Sequence, residues 1–228
     1  MSKIQSAAQA ALPAEFKVIE PESEVQAEPS AEKVPLRQLG GTYFYSSGII
    51  NKKNVFVTPE YMDLLVNAFK MAEVKKDVKN LAYVVMPNHF CWIFRLSEKQ
   101  DDPVAIYKDV KKDVAFAVIK NLLEEAKEGN QPFELLDIFQ ANEKVGRSNP
   151  RKILWTFKEE AKNFENNKRY RVWDKKSRLM LLDDEKKIIR NLKFIADAPL
   201  RDRWQFVETA QDYPYLYIAE DVQDKLVA

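Results

Sequence analysis

The segment Tyr83-Val-Val-Met-Pro-Asn-His-Phe-Cys-Trp-Ile-Phe-Arg95 holds the side chains best suited to chemistry in this sequence. Alternation along a strand would put His89 and Cys91 on one face and Phe90 and Trp92 on the other. Two ligand-capable residues at that spacing, beside a Pro87-Asn88 turn, would supply half of a metal site. An equally physical account makes His89 a hairpin cap and Cys91 a small core hydrophobe. The chain carries 1 His and 1 Cys, so no two-histidine site and no intrachain disulfide can form within it. A lone cysteine fits a reducing compartment.

A second set of residues is basic. Lys144, Arg147, Arg151, Lys152, Lys158, Lys162, Lys168, Arg169, Arg171, Lys175, Lys176 and Arg178 face only Glu159, Glu160, Glu165 and Asp174 over the same stretch. In a chain of 36 basic and 35 acidic residues, that clustering points to phosphate, whose counterions such a stripe would release. Trp155, Phe157, Tyr170 and Trp173 are interleaved with it and could stack on unpaired bases. The plainer account is a solvated helix face with Trp155, Phe157 and Trp173 in the core, which leaves the clustered cations for nucleic acid. Lys75-Lys76, Lys111-Lys112 and Lys186-Lys187 read as solvated helix positions.

These residues must be positioned by a fold. With 228 residues and 46% apolar content, the chain can build a sizeable core. A formal charge of +1 excludes a uniformly basic, histone-like protein. No run approaches 18 apolar residues and the start lacks a long apolar stretch, so a cytoplasmic protein away from membranes is expected. Residues 1–36 hold four prolines and six acids against three lysines, and read as a disordered acidic tail. A strand is expected at 42–46, and a helix behind Thr58-Pro59 with Met62, Leu65, Val66, Phe69 and Val74 inward. Strands at 81–86 and 90–96 follow, then a helix from Pro103 to about Lys127. Residues 129–150 read as a loop or insertion. Helix 151–164, strand 178–182 and a helix capped by Asp183 or Asp184 complete a domain over 37–220, with 221–228 as a tail. That order predicts an α+β protein: a ferredoxin-like split β-α-β sandwich with an antiparallel sheet and added C-terminal helices.

On these strings the sequence resembles the single-domain HUH tyrosine transposases, especially the REP-associated ones. Met86-Pro87-Asn88-His89 stands complete. Gly41-Thr42-Tyr43-Phe44, Thr156-Phe157-Lys158, Val172-Trp173-Asp174 and Asp212-Tyr213-Pro214-Tyr215 are similar to the family's other segments in the same order. In that family two histidines hold a divalent metal on the scissile phosphate, and Cys91 stands in the place of the second. The stretch Phe194-Ile195-Ala196-Asp197-Ala198-Pro199 matches the helix of the nucleophile, with Phe194 in place of its tyrosine and Ala198 in place of an assisting amide.

The resemblance implies a transposase-like protein that binds single-stranded or hairpin DNA and has lost strand transfer, because a phenyl ring has no oxygen to attack with. No cofactor is expected. An active enzyme would use Mg or Mn, or less readily Zn held by His89, Cys91 and Asp197, with Tyr170 or Tyr107 as a displaced nucleophile. The expected nucleic-acid contacts are Arg147, Arg151, Lys152, Lys158, Lys162, Lys168, Arg169, Arg171, Lys175, Lys176 and Arg178. A homodimer is expected from the family alone. The other account, from a different class, is a protein-interaction module that docks a partner through residues 1–36.

Overall fold

Valine, isoleucine and aromatic residues alternate with a Pro-Asn pair between residues 78 and 96, and the chain makes a two-residue hairpin there. The computed structural model describes residues 37–128, 139, 145–146, 149–163, 169–201 and 204–226. Strands β2 (Val78–Met86) and β3 (His89–Leu96) pair antiparallel, Met86 opposite His89 and Val84 opposite Cys91. Strand β1 (Thr42–Gly48) lies along the other side of β3, with Gly48 opposite His89, Ser46 opposite Cys91 and Phe44 opposite Ile93. Strand β4 (Arg178–Leu181) flanks β1, and β5 (Leu216–Ile218) flanks β2. The sheet order β4-β1-β3-β2-β5 is antiparallel throughout. Its first four strands have the order that a split β-α-β sandwich requires.

Three of the helices begin where a side chain accepts the first free amides, while the expected Thr58 cap of the first helix makes no side-chain hydrogen bond. Helix α1 (Pro59–Lys76) starts with proline and ends at Asp77, whose φ of 49° turns the chain back into β2. Asp102 Oδ1 accepts the N–H groups of Val104 and Ala105 at 3.0 and 3.2 Å ahead of α2 (Pro103–Glu128). Asn149 accepts Arg151 N–H at 2.8 Å ahead of α3 (Pro150–Lys162). Asp184, rather than Asp183, caps α4 (Glu185–Ala196) by accepting Lys187 N–H at 2.6 Å, while Asp183 pairs with the Lys187 ammonium.

Strand alternation sorts the core into two layers. Tyr45, Phe90 and Trp92 face α1 and α2: Phe69 of α1 stacks on Trp92 at 4.9 Å, and Tyr107 of α2 stacks on Tyr45 at 4.2 Å. Phe44, Cys91 and Ile93 face the other way, where α4 covers β2 and β3 and Phe194 meets Phe44 edge-on at 5.9 Å. A bulge between Asn80 and Ala82 turns the Asn80 amide inward. There it accepts the Trp92 indole N–H at 2.7 Å and donates to the Phe69 carbonyl at 3.0 Å. Losing such a buried pair typically costs 1–3 kcal/mol.

Several expectations need correction. Val74 points to solvent, 80% exposed, because it lies opposite the inward stripe of Met62, Leu65 and Phe69. Strand β5 was not foreseen. Residues 221–226 are not a tail: Val222 of the short helix α5 (Glu220–Gln223) is buried, Asp221 pairs with Lys79 at 2.6 Å, and Lys225 pairs with Glu185. Within the 129–150 stretch, Phe139 and Val145 are fully buried, Phe139 lying 4.6 Å from Phe206. The acidic segment 1–36 falls outside the described residues.

Candidate nucleic-acid interface

The turn between β2 and β3 is held by neighbours on both sides. The Pro87 carbonyl accepts the N–H groups of Val55 and Phe56, both at 2.9 Å, and the Asn88 carbonyl accepts Ile49 N–H at 2.7 Å. The Asn88 side chain, nearly buried, donates Nδ2–H to the Lys52 carbonyl at 3.3 Å. Its Oδ1 therefore faces His89 and takes the Nδ1–H at 2.9 Å. That bond selects the tautomer, making Nε2 the unprotonated nitrogen of the neutral ring. His89 opens onto a cleft of about 210 Å³ whose walls include Lys52, Asn88, Asp174, Lys176 and Trp204.

Cys91 lies on the same sheet face, one strand repeat further along, and is 2% exposed. Burial pushes its thiol up to about 12, against a smaller opposing pull from the Arg201 guanidinium. Burial therefore disfavours the thiolate, the form that binds metal. Asp197 sits on the surface as the C-cap of α4, its N–H turned back to the Ile195 and Lys193 carbonyls. Among the described residues no three His, Cys, Asp or Glu side chains converge as metal ligands. The donor set does not fit a hard divalent ion, which wants oxygen ligands, nor the three-ligand zinc site built on His89, Cys91 and Asp197.

Phe194 is on that same face, 41% exposed. The Arg201 guanidinium lies 4.1 Å from its ring centroid and donates to the Phe194 carbonyl at 3.1 Å. Its ring covers Phe44, which pairs with Ile93, four residues along β3 from His89. At about 3.3 Å per residue, that rung is roughly 13 Å from the His89 rung. Tyr107, one of the two displaced candidates, is stacked under Tyr45 on the opposite face and its phenol is shifted up by burial. Tyr170 is partly buried against the core with Arg169 5.5 Å from its ring.

The basic stretch is divided by the fold. Arg147 and Lys168 fall outside the described residues. Arg151 is used on its neighbour: its guanidinium donates to the Ala126 carbonyl at 3.2 and 3.0 Å, closing the end of α2. Lys162 pairs with Glu159 at 2.7 Å, and Arg171 Nε donates to the Trp173 carbonyl at 3.0 Å. Lys152 and Lys158 are exposed on α3, and Arg169, Lys175 and Arg178 are exposed beyond it. Residues 172–174 run beside the end of β1: Trp173 bridges Ile49, Ile50 N–H donates to Val172, and Asp174 N–H donates to Gly48 at 2.9 Å. This carries Lys176 into the His89 cleft.

Two aromatics differ from expectation. Phe157 and Trp173 are buried, but Trp155 is 65% exposed. Its α3 neighbours one turn away are Arg151, Lys152, Lys158 and Glu159.

No family model and no curated protein sequence matches this chain. Among solved structures it is similar to a REP-associated tyrosine transposase bound to a REP hairpin, with a TM-score of 0.51 and 17% identity over 82% of each chain. The two chains share a fold.

Two cleft residues and one lysine behind the Trp173 segment gave no signal in the sequence. Lys52 follows β1 in a short Lys52-Lys53 pair that has no pattern around it. Trp204 sits in a segment without periodicity, yet its ring centroid lies 6.5 Å from that of His89. Lys111, read as solvated, is packed between Tyr45 and Trp173, 5.9 and 5.5 Å from their centroids, and burial lowers its ammonium to about 8. Its carbonyl also accepts the Trp173 indole N–H at 2.8 Å, fastening the segment that delivers Lys176.

Proposed function

We propose that this protein is a transposase-like DNA-binding protein that takes single-stranded or hairpin DNA at the His89 end of its sheet and does not transfer strands. The observation that carries the reading is the convergence of Lys52, His89 and Lys176 on one cleft from three separate parts of the chain. The shared fold with a transposase bound to a REP hairpin supports DNA as the ligand. Exposed Lys152, Trp155 and Lys158 on α3 extend the binding surface beyond the cleft. Loss of strand transfer is supported by the residues at three positions. Phe194 offers no nucleophile, Cys91 is a buried thiol, and Ala198 has no amide to contribute. The reading requires no divalent metal. Among the described residues no helix is long and apolar enough to cross a membrane.

The test is fluorescence anisotropy of the full chain with a labelled DNA hairpin, the same sequence unfolded into a single strand, and a blunt duplex. The hairpin and the single strand should bind, with affinity falling steeply as salt rises. Incubation with manganese should give no covalent protein–DNA adduct on a denaturing gel. An adduct would show an active enzyme and refute the loss of strand transfer. Absence of binding at every salt concentration would refute the DNA-binding reading and favour an interaction module. The homodimer implied by the resemblance is tested in the same titration, as two chains per hairpin.

A further inference from the structure

The cleft beside His89 collects positive charge by an unusual route. Asn51 and Lys52 both adopt left-handed backbone, with φ of 52° and 50°. That conformation is costly for a lysine and persists only where surroundings enforce it. Here the Asn51 amide donates to Glu160 at 2.9 Å, and the Lys52 carbonyl is held by Asn88. On the other wall, Asp174 Oδ1 accepts the Lys176 N–H at 3.0 Å, a tight turn that sets Lys176 beside the cleft. Among the described residues neither of these two ammonium groups has a carboxylate partner. The ammoniums of Lys76, Lys79, Lys162, Lys187 and Lys225 all do. Among the described lining residues the one carboxylate is Asp174, whose Oδ1 accepts the Lys176 N–H, so the cleft carries two ammonium groups against one carboxylate.

We propose that this cleft is a metal-free phosphate clamp, in which Lys52 and Lys176 hold one phosphate of a DNA strand and Trp204 walls the adjoining sugar and base. The inference rests on the DNA-binding reading above and names its anchoring residues. Two ammonium groups beside a phosphate supply the charge that a divalent ion would otherwise bring, and the donor set at His89 and Cys91 does not fit such an ion. A volume of about 210 Å³ is below the 300–1,000 Å³ of drug-sized pockets, which suits a single phosphate with its sugar on a strand that continues outside.

The experiment measures hairpin affinity of the full chain in EDTA and again with manganese, for the parent, for Lys52→Gln/Lys176→Gln, and for the charge-matched control Lys70→Gln/Lys75→Gln on α1. Circular dichroism establishes that each variant is folded. The parent should bind equally in EDTA and manganese. The cleft variant should weaken binding roughly a hundredfold, about tenfold for each charge-assisted contact. It should also flatten the plot of log K against log salt by about 0.7, the share of one single-strand phosphate. The control should stay within about threefold of the parent. Carrying out the series on 5′-phosphorylated and 5′-hydroxyl hairpins distinguishes the source: loss confined to the phosphorylated strand marks a terminal phosphate, and equal loss marks an internal one. Binding abolished by EDTA and restored by manganese would overturn the clamp while leaving DNA binding intact. So would a cleft variant that binds like the control. A parent that binds no hairpin even at low salt would refute the DNA-binding reading itself.

Discussion

Replacing Cys91 by histidine would restore the histidine pair that the family resemblance implies, and the structure predicts that the chain cannot accommodate it. Cys91 is 2% exposed, with Ser46 and Val84 opposite it on the neighbouring strands and α4 above. An imidazole is several heavy atoms larger than a thiol, and overfilling a packed core typically costs 1–3 kcal/mol. It also takes a polar ring out of water, which costs another 1–3 kcal/mol where its N–H is not fully paired. The expected loss is about 3 kcal/mol. For a domain of this size each kcal/mol moves Tm by about 2–4 °C, so Cys91→His should melt roughly 6–12 °C below the parent. Cys91→Ala, which removes one atom and leaves a small void, should lose only about 1 kcal/mol. Thermal unfolding followed by circular dichroism measures both, and isothermal titration with manganese measures the site. A Cys91→His protein that melts within about 2 °C of the parent and binds manganese stoichiometrically would refute the argument, since the sheet face would then be open rather than closed by α4.

Phe194→Tyr alone should give no tyrosine–DNA adduct with manganese on a labelled hairpin, because a hydroxyl at the Phe44 rung faces no metal-activated phosphate; an adduct would show that the site lacks only its nucleophile. Trp155→Ala should weaken single-strand binding by about 1–3 kcal/mol, the usual worth of one stacked base, without moving Tm, since the ring is 65% exposed; unchanged affinity would assign it no base. Lys111 sheds its proton near 8 in the folded chain and near 10.4 when unfolded. The unfolded state therefore holds the extra proton between those values, and this group makes stability rise with pH. Denaturant unfolding from pH 8 to 9.5 should show a rise in the parent that is missing in Lys111→Met, and parallel curves would contradict it.

How legible the fold was depends on how local its causes are. The β2–β3 hairpin, α1, α2 and the Asp184 cap follow from alternation, helical spacing and cap chemistry within a few residues. Strand β5 is three residues long and exists because Val84 and Ala82 offer it an edge, which no local pattern announces. Trp155 was assigned to the core by residue type, although its position argued otherwise. The buried residues Ile153 and Phe157 are each two positions away, about 200° around the helix, which sets Trp155 opposite the inward stripe. Lys111 lies one turn from Tyr107 at the margin of the stripe made by Val110, Val114 and Val118, where a long side chain can be drawn under a neighbouring segment. Only the arrival of Trp173 from far along the chain decides that it is.

The candidate site shows the same division and changes the meaning of the motif that revealed it. Met86-Pro87-Asn88-His89 reads as catalytic machinery, yet its middle residues are busy with structure. Pro87 accepts two backbone amides, and Asn88 ties His89 to the Lys52 backbone while its own carbonyl holds the end of β1. A chain that needed only this cleft, and no chemistry, would still need that string. The positions that chemistry alone requires are the second ligand and the nucleophile, and there the chain has a buried thiol and a phenyl ring. Reading the string by itself therefore overstates the case for an enzyme. Reading it with the backbone it fastens favours a binding site, because the Asn88 side chain leads to Lys52 and to the ring of His89, and its carbonyl holds Ile49 beside the Gly48–Asp174 link that delivers Lys176.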